Sequence, residues 1–207
     1  EILVLLHPAD LRCPRGTKGW LARRPVTEHV HIRPDMERDM ARLARIESRT
    51  AVGLVLAGGG ARGFAHLGVH QALQEHGIEV DFVGGTSIGA VMGALVATDQ
   101  PMDRARAIAR SAFRINPTGD FNWLPLLSLI SGRRMRRIAT QAVTELLGFE
   151  ADIEDLWKNY YCIATNYSHA REQPLRSGPL IKAVLASTAI PGALPPVIVD
   201  GDLLCDG

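Results

Sequence analysis

Short apolar runs alternate with stretches of helical periodicity over most of this 207-residue chain. Ala51–Ala57 is an almost continuous apolar run, which is typical of a strand buried on both faces. Val80–Gly84 and Tyr160–Thr165 have the same character, and a short strand is also expected at Ile2–Leu6. Helical stretches separate these runs. The pattern predicts an α/β domain of three layers, α/β/α, with a mostly parallel central sheet.

The predicted helices are charged amphipathic segments or runs of small apolar residues. In Asp35–Ser48 the apolar residues recur at helical spacing. A second helix is expected to end at His76, where Gly77 takes the place of a C-cap glycine. The remaining helices are expected at Ile88–Thr98, Met102–Arg114, Arg134–Leu147 and Pro179–Ser187.

Composition narrows the class of protein only in part. Hydrophobic residues make up 46% and charged residues 22%, which suits an ordinary globular core. The formal net charge is +1, so no overall basicity indicates a nucleic-acid partner. The longest apolar stretch, Ile88–Ala97, is about half the ~20 residues of a membrane span, and the opening residues lack the features of a secretory signal. Three scattered cysteines lack metal-ligand spacing, so we expect reduced thiols, no metal, and a cytoplasmic or membrane-peripheral location.

Ser87 lies in the segment Gly85-Thr86-Ser87-Ile88-Gly89, which fits the pattern G-x-S-x-G and is called the serine turn below. A predicted strand precedes the segment and a predicted helix follows it. Such a serine stands on a sharp turn with its hydroxyl exposed at the edge of the sheet. Gly85 and Gly89 suit a turn at which backbone segments come close, and the helix N-terminus favours developing negative charge. We predict that Ser87 is a nucleophile, against the alternative of an ordinary turn.

A glycine cluster also stands between a strand and a helix, and it consists of Gly58, Gly59, Gly60, Ala61, Arg62 and Gly63. Its successive amides suit an anion, and two uses compete. The cluster satisfies G-x-G-x-x-G of a dinucleotide site, and it also suits an oxyanion hole for acyl transfer. A dinucleotide site needs an acidic residue at the far end of the next strand, whereas Glu79 and Asp81 stand at its near end. The far end leads to Ser87, which favours the oxyanion hole.

A serine nucleophile needs a proton acceptor. The chain has seven histidines, and spacing alone makes none of them the base. His66 and His70 lie four residues apart on a predicted helix, but no nearby carboxylate completes a metal site, so both are expected to be ordinary helix residues. The end of the chain offers another candidate in Asp206, which follows the strand-like run Leu203–Cys205.

Together, the glycine cluster, the serine turn and the closing Asp206-Gly207 resemble the three signatures of the patatin-like phospholipases. The resemblance implies a Ser–Asp dyad that works without histidine, in which Ser87 is the nucleophile and Asp206 the base. It also implies an oxyanion hole that is formed by the amides of Gly59, Gly60 and Ala61, with Arg62 beside it.

The likeness extends to the bacterial relatives of neuropathy target esterase and covers essentially the whole chain. It is carried by Val4–His7, Ala41–Arg45, Ile153–Trp157, Tyr161–Asn166 and Pro191–Pro196. In these relatives the base follows a Pro-Pro strand, a glycine turn and a further short strand, which favours Asp206 over Asp200. Their domain usually continues past the Asp-Gly pair. We therefore expect residues 1–50 to be a lead-in from an upstream region and residues 51–207 to be a phospholipase domain truncated at its C-terminus.

The segment Phe121–Arg137 combines apolar and aromatic residues with a cluster of arginines. This combination is typical of a surface that contacts a membrane interface. It is also typical of an apolar stretch that belongs to the core or covers the active site, with the arginines on a solvated helix face. Peripheral membrane contact therefore stands as one of two hypotheses for this segment.

These patterns predict a serine esterase that acts through an acyl-enzyme intermediate, with no cofactor and no nucleic-acid partner. The family resemblance implies that its substrates are phospholipid or lysophospholipid esters. A nucleotide-binding oxidoreductase is one alternative, since it would use the glycine cluster, but it has no need of Ser87. A non-catalytic lipid-binding or regulatory domain that keeps the motifs without turnover is the other.

Overall fold

Two β-sheets and seven α-helices organise the residues that the computed structural model describes, namely 1–114, 118–122 and 128–207. In chain order the elements are β1 (Ile2–Leu6), α1 (Thr17–Leu21), β2 (Glu28–Ile32), α2 (Glu37–Glu47), β3 (Gly53–Leu56), α3 (Phe64–Glu75), β4 (Phe82–Thr86), α4 (Ile88–Ala97), α5 (Met102–Arg114), α6 (Arg133–Leu147), β5 (Asn159–Asn166), β6 (Arg171–Leu175), α7 (Leu180–Ser187), β7 (Val197–Val199) and β8 (Asp202–Asp206). Two short 3₁₀ helices are added at Gly60–Gly63 and Ile153–Asp155. Within these residues, no helix is both long and apolar enough to cross a membrane.

The main sheet has six strands in the order β3–β4–β5–β8–β7, and β6 also pairs with β5. β3, β4 and β5 run parallel, as expected when helices connect the strands. β6, β8 and β7 join antiparallel, because short turns connect β5 to β6 and β7 to β8. The predicted α/β class is confirmed, and the sheet is mixed, since parallel pairing is confined to β3–β5.

The register around β5 brings two strand ends together. β4 pairs with residues 159–163 of β5, and β8 pairs with residues 164–166. β6 pairs with residues 162–166. Because a strand has only two edges, β4 and β8 lie end to end along one edge of β5, and β6 lies along the other. β4 runs parallel to β5 and β8 antiparallel, so their C-terminal ends point at each other.

α4 covers one face of the sheet and contributes much of the core, including Ala90, Met92 and Val96. The opposite face is open at β3, where Val55 is 69% exposed. The expectation that this strand is buried on both faces is therefore wrong, because β3 lies at the edge of the sheet and pairs only with β4 among the described strands.

The first 50 residues contact residues that flank the main sheet. β1 and β2 form a two-stranded parallel sheet of their own. Polar contacts link the first 50 residues to the rest of the chain: Arg33 binds Asp99, Arg45 binds Asp81, and His31 bonds to the Glu154 carbonyl. The proposed role of this segment as a lead-in from an upstream region stays a prediction.

Most predicted boundaries agree with the structure within two residues, and Gly77 has the positive φ of +71° that a C-cap glycine adopts. The strand predicted at Val80–Gly84 lies instead at Phe82–Thr86. The Val80 carbonyl accepts a hydrogen bond from Lys158, and the Asp81 carboxylate accepts one from the Val52 amide. Val80 and Asp81 therefore bond to residues outside the strands, and β4 begins after them.

Candidate active site

Ser87 occupies a strained position between β4 and α4. Its φ is 52° and its ψ is −126°, a conformation that costs about 1–3 kcal/mol in a non-glycine residue. The flanking glycines are required by close approach of the backbone. A Cβ at Gly85 would lie 2.3 Å from the Gly89 carbonyl oxygen, and a Cβ at Gly89 would lie 2.1 Å from the Leu56 carbonyl oxygen. The serine turn therefore tolerates no side chain at either glycine.

Asp206 stands at the end of β8, opposite the serine turn. The Ser87 hydroxyl donates a hydrogen bond of 2.9 Å to Oδ2 of Asp206. The amide of Asp206 donates to the Ala189 carbonyl at 3.0 Å, which fixes the strand end. The structure thus brings the two residues together across 119 positions of sequence, as the end-to-end arrangement of β4 and β8 requires.

The surroundings of Asp206 make its carboxylate more basic than usual. Burial raises the pKa of Asp206, and hydrogen bonds from Ser87 and from the Gly207 amide only partly offset this effect. Among the described residues, no arginine, lysine or histidine forms an ion pair with this carboxylate. A carboxylate without a cation accepts a proton more readily than one that is paired.

The glycine cluster lies against the serine turn. A Cβ at Gly58 would be 3.4 Å from the Ser87 Cβ, and one at Gly63 would be 2.1 Å from the side chain of Ile88. The cluster ends in the 3₁₀ helix, in which the Arg62 amide donates to the Gly59 carbonyl. Within the described ranges, no group accepts a hydrogen bond from the amides of Gly59, Gly60 and Ala61. These amides are therefore available to an anion beside the serine.

The dinucleotide alternative does not fit the acidic residues that precede β4. Asp81 is fully buried and binds the Arg45 guanidinium through both carboxylate oxygens, at 2.9 and 2.6 Å. It also accepts the Val52 amide. Glu79 is exposed at the near end of the strand. Neither residue is placed to bind a ribose at the far end, where Ser87 stands.

The histidines other than His70 bond to groups away from Ser87 and Asp206. His66 bonds to the Ala57 carbonyl, and His169 pairs with Asp202. His70 is buried on α3, and its burial lowers the pKa of the imidazole. His7, His29 and His31 lie together beside the Glu154 carbonyl. Among the bonds that the described residues form, none joins a histidine to Ser87 or Asp206.

The cysteines are not alternative nucleophiles. All three are buried free thiols. Burial raises the pKa of Cys13 and of Cys162 to about 12, and it also raises the pKa of Cys205. Protonated, buried thiols are unreactive. In the described part of the chain no group of acidic, histidine and cysteine residues is placed to hold a metal ion.

The segment Phe121–Arg137 is described only in part, since residues 123–127 lie outside the described residues. At its start Phe121 is 77% exposed, and Leu129 is 57% exposed. Arg133, Arg136 and Arg137 are also exposed, on the first turns of α6. Phe121 and Leu129 therefore lie on the surface, as these arginines do. The hypothesis that the apolar part belongs to the core does not hold for Phe121 and Leu129.

One buried polar residue at the site was not predicted. The hydroxyl of Ser187, at the end of α7, accepts the amide hydrogen of Ser87 at 3.0 Å. In the sequence Ser187 is one small residue among others in a helix. Its proximity to Ser87 depends on the packing of α7 against the sheet, so no local pattern indicates it.

The family of the chain follows from sequence comparison. The family model for the patatin-like phospholipases matches residues 54–207. The match begins in β3 and includes the glycine cluster, the serine turn and Asp206. The chain belongs to the patatin-like phospholipase family. The predicted resemblance is therefore confirmed.

Curated members of the patatin-like phospholipase family and its neuropathy target esterases match almost the whole chain. A patatin-like phospholipase domain-containing protein of Caenorhabditis elegans is 36% identical over 99% of this chain and 18% of its own length. A neuropathy target esterase of Drosophila melanogaster is 35% identical over 99% of this chain and 16% of its own. A lysophospholipase of Mycosarcoma maydis is 39% identical over 99% of this chain and 14% of its own. The chain therefore spans less than a fifth of each of these relatives.

Among solved structures, the patatin-like chain is similar to VipD from Legionella pneumophila. The two superpose with a TM-score of 0.52 and 17% sequence identity. The match covers 76% of this chain and 46% of the other. At this level of identity the likeness concerns the fold alone.

Proposed function

We propose that this chain is the catalytic domain of a serine esterase that hydrolyses phospholipid or lysophospholipid esters. The observation that carries the proposal is the 2.9 Å hydrogen bond from Ser87 to Asp206, whose carboxylate forms no ion pair with a described residue. The family relationship supports lipid as the substrate class. Relatives that are named neuropathy target esterase and lysophospholipase support an ester of a phospholipid.

The proposed reaction proceeds through an acyl-enzyme. Oγ of Ser87 attacks the ester carbonyl carbon while Asp206 accepts the hydroxyl proton. The amides of Gly59, Gly60 and Ala61 bind the oxyanion of the tetrahedral intermediate; loss of one such donor typically costs about 10²–10³ in turnover. Asp206 then gives its proton to the leaving alcohol. A water molecule, deprotonated by Asp206, releases the fatty acid and restores Ser87.

A groove beside the site suits a lipid substrate. It has a volume of about 1200 Å³ and lies between α6, α7 and the segment that leads to β7. Ser87 and Asp206 do not line it, but Ala189 does, and the carbonyl of Ala189 binds the Asp206 amide. Leu185 and Leu194 offer apolar surface, and Arg133 and Arg136 stand on the α6 side. We assign the acyl chain to the apolar part and the phosphate to the arginines, which bind phosphate well.

Peripheral membrane contact is the second part of the proposal. The exposed Phe121 and Leu129 supply apolar surface next to the arginines of α6, a combination that binds anionic interfaces. The double variant Phe121→Glu/Leu129→Glu should therefore reduce co-sedimentation with phosphatidylserine vesicles and leave hydrolysis of a soluble short-chain ester unchanged. Leu6→Glu, at a residue 67% exposed in β1, is the matched control. Equal sedimentation of all three proteins would contradict the contact.

Mass spectrometry of the products tests the esterase activity itself. The protein is incubated with a panel of lysophospholipids and diacyl phospholipids, and released fatty acid and the glycerophospho product are quantified. The proposal predicts both products with the wild-type protein and neither with Ser87→Ala. Binding of the lipids without any product from the folded wild-type protein would favour the non-catalytic alternative.

A further inference from the structure

Ser187 connects the nucleophile to the sheet. It is the last residue of α7 and is 0% exposed. Its Oγ accepts the amide hydrogen of Ser87 at 3.0 Å and donates its own hydrogen to the Ile163 carbonyl at 2.6 Å. The Ser187 hydroxyl thus accepts one hydrogen bond and donates another, and both partners lie at the edge of the sheet where Ser87 stands.

The hydroxyl is placed where β4 separates from β5. The pairing of these strands ends with Thr86 opposite Ile163, and the chain then turns into α4 with the strained dihedral angles of Ser87. At this point the Ser187 hydroxyl bridges the Ser87 amide and the Ile163 carbonyl. A strained conformation persists only when the surrounding contacts fix it. The bridge is such a contact, and it acts on the nucleophile's own backbone.

The same short segment holds the proposed base. The carbonyl of Ala189, two residues after Ser187, accepts the Asp206 amide at 3.0 Å. Ser87 and Asp206 come from different strands, and residues 187–189 hydrogen-bond to both. The end of α7 therefore holds the backbone amides of both residues.

We infer that Ser187 is a positioning residue for the nucleophile, an assignment that rests on the proposed esterase function. Ser187 acts through the Ser87 amide and does not touch the substrate. Without the bridge, Ser87 samples orientations in which Oγ is displaced from the attacking position. Misplacement of a reacting group by 1 Å costs about 10²-fold in rate. The loss should therefore fall on the reaction rate of Ser87 and leave substrate binding in place.

Titration with a fluorophosphonate that labels activated serines separates positioning from a role in folding alone. The fraction of molecules that finally react reports how much protein is correctly folded, and the rate constant reports the reactivity of Ser87. For Ser187→Ala we expect full final labelling and a rate constant roughly 10- to 100-fold lower. On the ester substrate kcat should fall by a similar factor with KM within about threefold. A normal rate constant, whatever the labelled fraction, would overturn the assignment.

Two further variants keep the test decisive. Ser187→Cys keeps the volume but substitutes a weaker hydrogen-bonding group, so its rate constant should lie between those of wild type and Ser187→Ala; a wild-type rate in this variant, should Ser187→Ala not fold, overturns the assignment. Thr98→Val is the matched control, because Thr98 is also a buried hydroxyl residue at a helix end, and within the described part of the chain its hydroxyl bonds only to its own helix, at the Leu95 carbonyl. It should label at the wild-type rate.

The proposed function has its own control in the same experiment. Labelling of the wild-type protein that is lost in Ser87→Ala is its premise. Absence of labelling in the wild-type protein would overturn both the function and the positioning role. Wild-type labelling with an unchanged rate in Ser187→Ala would overturn the positioning role alone.

Discussion

Two carboxylates with opposite surroundings, Asp99 and Asp206, lie near the two ends of α4. Beyond its C-terminal end, Asp99 binds Arg33 at 2.9 Å, Arg38 at 2.7 Å and Lys158 at 3.4 Å. At its N-terminal end, Asp206 binds the Ser87 hydroxyl and the Gly207 amide, and among the residues that the structure describes it binds no cation. Burial acts on both carboxylates, but the nearby cations lower the pKa of Asp99, whereas the pKa of Asp206 is raised.

The difference separates a structural carboxylate from a reactive one. A carboxylate that is surrounded by cations stays ionised and cannot accept a proton near neutral pH. It stabilises the packing of residues 1–50 on the main domain, since Arg33 lies in that segment and also binds Asp39 at 2.7 Å. A carboxylate without a cation is costly to ionise in the folded protein, and this cost is what makes it a useful base.

Replacement of the reactive carboxylate should have the largest effect on activity. Asp206→Asn removes the proton acceptor and keeps the size, so kcat should fall by about 10²–10⁴. Because the raised pKa of Asp206 means that its ionised form opposes folding at neutral pH, the free energy of unfolding should stay equal or rise. Ester hydrolysis and urea unfolding measure the two effects. A marked loss of stability would place Asp206 with the structural carboxylates.

The opposite result is expected at the other end of α4. Asp99→Asn leaves Arg33 and Lys158 without their shared partner in a largely buried site, which should lower the free energy of unfolding by roughly 3–5 kcal/mol. The rate of fluorophosphonate labelling per folded molecule should stay within about twofold, because Asp99 does not touch the serine turn. Urea unfolding and labelling kinetics measure this. An activity loss without a stability loss would contradict the distinction between the structural carboxylate Asp99 and the reactive carboxylate Asp206.

The pH dependence of stability and that of activity should distinguish the structural carboxylates from Asp206 in one protein. The pKa values of Asp39 and Asp99 are lowered from 3.8, so their contribution to stability is complete above that pH and is lost as the pH falls through the lowered values. The pKa of Asp206 is raised above 3.8, so activity is lost as the pH falls through this higher value. A folded, inactive and reversible state should therefore exist at pH values below the raised pKa of Asp206 and above the lowered pKa values of Asp39 and Asp99. Circular dichroism and labelling across pH measure it, and simultaneous loss of fold and activity would contradict the assignment.

The smallest effects are expected from the histidines. His66, His70 and His169 have partners away from the dyad or none near it. Single replacements of each should leave kcat within about tenfold, in contrast to the 10²–10⁴ that a general base contributes. Steady-state hydrolysis measures this. A loss in the larger range at any one histidine would revive a triad and remove Asp206 from its role as base.

The comparison also shows which parts of the molecule the sequence could predict. Ser87 and the glycine cluster were recognisable because their function depends on local features, namely glycines at close contacts and a turn between strand and helix. The alternation of β3, α3, β4 and α4 was predictable for the same reason, since each element has its own apolar period.

Features that depend on distant contacts could not be predicted in this way. Nothing in the local pattern indicates that Asp99 collects three cations, because Arg33, Arg38 and Lys158 come from different parts of the chain. The mixed sheet is not visible in the local pattern, because the direction of β6, β7 and β8 is a matter of how they pair with β5 and with each other. Family resemblance alone indicates the role of Asp206, and only the register of β4 and β8 on β5 explains physically why it meets Ser87.

Peptide mapping of the fluorophosphonate adduct determines whether Ser87 is the one nucleophile. The wild-type protein is labelled to completion, digested and analysed by mass spectrometry, alongside Ser87→Ala of unchanged circular dichroism. We expect one adduct per molecule, on Ser87, and no adduct in the variant. A stoichiometric adduct on any other residue, or ester hydrolysis that survives in Ser87→Ala, would contradict this expectation.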